Sequence, residues 1–117
     1  MLDRLLREIG VVSEGPLAAL IVECRRVSDH LAAASTDDRL AGSYPFLTML
    51  STAVCGWLMK RQADALDGEA PDFAAMKRAA VDYYLQQVVP EAQGLAAQAT
   101  AGAELLYSLS DEALASA

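Results

Sequence analysis

Hydrophobic residues recur along this chain at three- and four-residue intervals, a period that predicts helices almost throughout. Leu2, Leu5, Leu6 and Ile9 fall at i, i+3, i+4 and i+7, giving a short amphipathic helix that Gly10 is expected to stop. It begins essentially at residue 1 with no capping segment before it, as a piece cut from a longer chain would. A second helix opens at Gly15-Pro16, a glycine suited to the N-cap and a proline suited to the first helical position, where its missing N–H leaves nothing unpaired. Leu17, Leu20, Ile21, Cys24, Val27 and Leu31 then line one face, while Glu23, Arg25, Arg26, Asp29 and His30 fall off it. This helix fades near Ser35, where Ser-Thr-Asp-Asp forms a turn and offers new caps.

A third helix is predicted from about Pro45 to Leu66, entered through Gly42-Ser43-Tyr44. Its core stripe is read as Leu47, Leu50, Val54 and Trp57/Leu58, with Arg61 and Ala65 as the helix surfaces. Phe46, Met49, Ala53 and Gly56 make a second uncharged face. A helix apolar on more than one side is either central in a bundle or covered by another chain or domain. So few short helices leave little room to be central, and 46–59 is marked as an interface.

Asp67-Gly68-Glu69-Ala70-Pro71 reads as a turn, and a fourth helix from near Asp72 carries Phe73, Met76, Ala80, Tyr83, Tyr84, Leu85 and Val88. Pro90 predicts a kink or short break, with helix resuming from Glu91 to Thr100. Residues 91–103 are nearly all Ala, Gln and Gly, side chains small enough for helix axes to approach closely. Leu105, Leu106 and Leu109 extend an apolar patch, and Ser110-Asp111 caps a final turn. The expected fold is all-α, one antiparallel bundle of about four helices over residues 1–117, the last kinked near Pro90.

Composition narrows the function. The chain is 54% hydrophobic and roughly a fifth alanine, which excludes disorder as its main description. Nine Lys+Arg stand against 16 Asp+Glu, for a net charge of −7, so the clustered cations of a nucleic-acid binder are missing. The uncharged stretch Phe46–Met59 is too short to cross a bilayer, and MLDRLLREIG has no apolar stretch of the signal-peptide kind. Cys24 and Cys55 sit in apolar runs without a CxxC and read as buried free thiols of a reducing compartment. A cytoplasmic location with no membrane or nucleic-acid partner follows as the expectation.

Catalytic chemistry is hard to build from these residues. The one histidine, His30, lies on the polar face of its helix. Ser28, Asp29 and His30 cannot relay a proton, because consecutive helical residues point about 100° apart. A di-iron bundle needs two Glu-x-x-His pairs, and no glycine-rich phosphate loop follows a strand. Asp37/Asp38, Asp67/Glu69 and Asp111/Glu112 sit at helix starts or turns and read as caps. Lys60-Arg61 and Lys77-Arg78 flank one turn on opposed helices, either as solvated faces or drawn together as a small positive patch. Beyond Arg78 there is no basic residue at all. Tyr83-Tyr84 reads as core packing with the hydroxyls at the rim. No catalytic, cofactor-binding or metal-ligating residue is assigned.

From Tyr44 to about Leu109 the chain resembles the C-terminal accessory domain of the acyl-CoA dehydrogenases, in the branch that includes methylthiopropanoyl-CoA dehydrogenase-like enzymes. Tyr44-Pro45-Phe46-Leu47 is close to that family's Tyr-Leu-x-Leu opening, and Gly56-Trp57-Leu58 is like its Gly-Trp core. Lys77 followed by Tyr83-Tyr84, then Val89-Pro90-Glu91-Ala92, then Thr100-Ala101-Gly102-Ala103-Glu104 resemble its Lys–aromatic pair, Leu-Pro-Glu-Ala and Gly-Ala-Glu segments in order. The first forty residues match only as generic helix. The resemblance implies a helical bundle appended to a catalytic core that uses FAD to remove hydrogens from the α and β carbons of an acyl-CoA, an oxidoreductase acting on CH–CH groups. The glutamate base and flavin-binding residues lie upstream in such enzymes, so this chain alone is expected to be inactive and to hold no FAD. Its expected partner is that core or a second copy of itself. The mechanistic expectation for Lys60, Arg61, Lys77 and Arg78 is a place near the phosphates of CoA. A stand-alone helical interaction module is the alternative.

Overall fold

Leu2, Leu5, Leu6 and Ile9 do build a helix in the computed structural model, which describes residues 1–117. This helix, α1 (Leu2–Val12), runs through Gly10 instead of stopping there. Ile21 of the next helix lies so close that a side chain at Gly10 would meet its Cγ2 at 3.3 Å, so Gly10 serves helix contact and not termination. Ser13 ends α1 instead, its hydroxyl donating to the Ile9 carbonyl at 2.6 Å. Helix α2 (Gly15–Ala33) starts with Gly15 at φ +57° and Pro16 behind it. Its buried residues are Leu17, Leu20, Ile21, Cys24, Val27 and Leu31, the stripe read from the sequence.

Helix α3 (Thr36–Asp64) starts nine residues before the expected Pro45 and is the longest element. The Ser35 hydroxyl accepts the Asp38 N–H at 3.2 Å, and Asp37 and Asp38 complement the dipole of the first turn. With the helix nucleated there, Pro45 lies inside it, costing one intrahelical bond while burying its ring. The face that α3 turns inward is Gly42, Pro45, Met49, Ala53 and Gly56. The two faces of the sequence reading are therefore exchanged. Leu47 is 60% exposed and Leu58 42%, while Leu50, Val54 and Trp57 are half-buried.

The rest of the bundle is one interrupted rod: α4 (Pro71–Tyr83), a π-helical turn (Tyr84–Val88), α5 (Val89–Gln93) and α6 (Leu95–Ala99). Pro90 would press its ring on the Gln86 carbonyl in an unbroken α-helix. The turn before it widens instead, and the Val89 N–H bonds back five residues to the Tyr84 carbonyl. The rod bends by 37° near residue 94, one turn past Pro90, as the proline led one to expect. Ala92, Ala96 and Ala99 are buried, and the small side chains do bring backbones together there. A 3-10 turn (Glu104–Tyr107) and a short α7 (Asp111–Ala115) follow, the latter capped by Ser110, whose hydroxyl accepts the Ala113 N–H at 3.2 Å.

One core joins these helices: α2 lies against α1, α3 and α5, and α3 against α5 and α6. Helix α4 packs on α3 outside that core, so Phe73 and Met76 are 46% and 62% exposed, and Tyr83, expected to pack in the core, is 66% exposed. Ala80 is exposed as well, while Ala74 and Val81 are what α4 buries.

The tightest crossing is between α3 and α6. A methyl on Gly42 would overlap the Ala99 carbonyl oxygen and come within 2.9 Å of Leu31 Cδ2. Gly42→Ala should therefore destabilise the fold by about 2–3 kcal/mol despite alanine's better helix propensity. At Gly56 an added methyl meets only side-chain ends of Leu17, Val89 and Leu85 at 3.2–3.4 Å, so Gly56→Ala should stay within about 1 kcal/mol of the parent. Thermal unfolding followed by circular dichroism separates the two. Equal melting temperatures would refute the crossing as described.

Candidate interaction surface

Chemistry in this chain lies on its outside. No polar or charged residue is buried. No three His, Cys, Asp or Glu side chains converge as metal ligands would. His30 is exposed near the C-terminal end of α2. Asp67 and Glu69 are exposed in the turn before α4, and Asp111 and Glu112 sit in the first turn of α7.

Two charged residues do more than the sequence reading gave them. Asp38, read only as a capping acid, accepts the Ala103 N–H on Oδ1 at 2.8 Å, tying the end of the α6 segment to the start of α3. Gly102 permits this tie by adopting φ +81°, a left-handed conformation that other residues enter only with strain. Arg39 folds back over the end of α2, donating from Nε to the Leu31 carbonyl at 3.1 Å and from its terminal nitrogen to Ala34 at 3.1 Å. It satisfies carbonyls that the helix leaves open. No local spacing announces the Asp38 contact, whose partner lies 65 residues on, whereas Arg39 reaches back only five to eight residues across the turn between α2 and α3.

The basic doublets do not meet in a cleft. Lys60 pairs with Asp64 at 3.0 Å, and the Arg61 guanidinium lies over the Trp57 ring, 5.1 Å from its centroid. Lys60 borders two clefts, one with Glu8 and Asp64, the other with Glu14 and Asp82, and neither includes Lys77 or Arg78. Arg78 is exposed and Lys77 half-buried. A flavin dinucleotide does not fit these clefts. The acids around Lys60 repel a pyrophosphate, and the larger apolar clefts described next offer it only Arg39, already spent on carbonyls.

What the surface does present is apolar. One cleft of about 470 Å³ lies between α2 and α3, walled by Leu31, Ala32, Phe46, Leu47 and Leu50 with Ser28, Arg39 and Ser43. A second, of about 430 Å³, lies between α1 and α3, walled by Leu2, Leu5, Leu50, Ser51, Val54 and Cys55. Leu50 lines both, so the two clefts adjoin along α3. On α3 and α4, Leu58, Phe73, Met76 and Tyr83 are exposed as well.

The two thiols differ. Cys24 is fully buried, and burial, aided by neighbouring Glu23, pushes it up to about 12. Cys55 is exposed in the cleft between α1 and α3, contrary to the expectation that both are buried, because α3 turns Ala53 and Gly56 inward and Cys55 out. Tyr84 is half-buried, and its hydroxyl donates to the Thr52 carbonyl at 3.5 Å. Burial first, and then the Cys55 thiol, raise its ionisation above the ordinary tyrosine value. The thiolate is the nucleophile, so maleimide at neutral pH should modify one cysteine of the native chain, Cys55, and reach Cys24 only after denaturation. Native Cys55→Ser protein should stay unlabelled in intact-mass spectra; prompt labelling of Cys24 would contradict its burial. Since the unfolded thiol ionises near 9.0 and the folded one near 12, Cys24 costs stability as pH rises from 9, and Cys24→Val should lessen that alkaline loss.

Compared with known protein families, residues 13–110 match the family described as acetyl-CoA dehydrogenase C-terminal like. Neither the curated proteins nor the solved structures provide a match. The matched span opens at residue 13, well before Tyr44, so it takes in α2 and the whole of α3 as well as the segments that carried the resemblance. With most of its length inside that span and an all-helical fold, the chain belongs to the acetyl-CoA dehydrogenase C-terminal-like family of helical domains.

Proposed function

We propose that this chain is the C-terminal helical domain of an FAD-dependent acyl-CoA dehydrogenase, one domain over residues 1–117 that packs on the catalytic core and has no complete active site of its own. The observation that carries this reading is the α3–α4 hairpin. In a chain of this family α4 packs outside the common core, and Leu58, Phe73, Met76 and Tyr83 of the hairpin are exposed. Large apolar side chains left uncovered on one hairpin suit an interaction site. The ordered motifs from Tyr44 to Leu109 support the methylthiopropanoyl-CoA dehydrogenase-like branch in particular. No helix is long and apolar enough to cross a membrane, which fits a cytoplasmic enzyme. The clustering of acids around Lys60 favours a supporting role over direct contact with CoA phosphates.

The purified chain should carry no flavin absorbance and dehydrogenate no acyl-CoA; a yellow protein with turnover would overturn the proposal. In the enzyme assembled with its core, Phe73→Ser together with Met76→Ser should lower the melting temperature of the whole by several degrees. The same pair should leave the melting of the isolated domain within about 1–2 °C, since both side chains are exposed there. Equal effects in both settings would mean that the hairpin is not a docking surface.

A further inference from the structure

We draw no further inference here: the strongest candidate, the pair of apolar clefts that adjoin at Leu50 along α3, carries none because nothing in the structure shows what covers them.

Discussion

The contact on which this fold turns is the meeting of two helix backbones at Gly42 and Ala99. A carbonyl of α6 occupies the space where any other residue on α3 would place its Cβ. That proximity dictates which way α3 faces. Once that side of α3 is committed inward, at Gly42 against α6 and at Gly56 against Leu17 of α2 and Val89 of α5, the bulky residues on the other side of the same helix are left outward. The cleft over Phe46, Leu47 and Leu50 is therefore the other side of the crossing and not an independent feature. Burial is sparing as a result, with 21 of 117 residues inside, and more large side chains remain at the surface than a self-sufficient domain of this size needs.

How far the sequence could be read depended on whether residue size and burial went together. Along α2 they did, since Leu17 to Leu31 is both the largest and the most buried stripe, and its periodicity was enough. Along α3 they parted. Bulk is a good guide to the interior where helices are spaced by their side chains, and a misleading one where backbones nearly touch. The alanine-rich stretch after Pro90 hinted at such closeness, but nothing in one sequence says which partner helix supplies the matching glycine. Pro45 misplaced the start of α3 for a related reason, because the Ser35 cap and a buried ring outweigh a single lost bond. Tyr83 was read as core packing, on the same helix that carries Phe73 and Met76. Their exposure follows from α4 having only α3 beside it, a fact of chain length and bundle offset that local pattern does not carry. Among the candidate functional residues, those of the basic doublets could be named but not placed, and the ties made by Asp38 and Arg39 depend on which helix ends come together.

These ties show how a bundle without any buried polar residue fixes its ends. Arg39 closes the last turn of α2, Asp38 fastens the segment after α6, and the Gln93 side chain donates to the Pro16 carbonyl at 3.1 Å across the bundle. The Asp38 and Gln93 ties join segments 65 and 77 residues apart in the chain, while Arg39 bridges two consecutive helices across the short turn between them. Four of the five surface ion pairs lie within single helices, as Arg4 with Glu8 and Arg26 with Glu23 do, and the fifth, Arg25 of α2 with Asp3 of α1 at 3.7 Å, is exposed, so together they contribute little to which helix packs where.

The π-helical turn at Tyr84–Val88 has a consequence for how this chain is compared with others. Inward positions along the rod run Ala74, Val81, then Val89, Ala92, Ala96 and Ala99. The step from Val81 to Val89 is eight residues where the helical repeat calls for seven, and the wide turn takes up the extra one. Geometrically the turn absorbs one residue more than a regular helix would, by local rewinding. A relative lacking it would line up correctly on either side only with a gap placed between Tyr83 and Val89. Without that gap, every residue of its second half would be set against a neighbour from the wrong face.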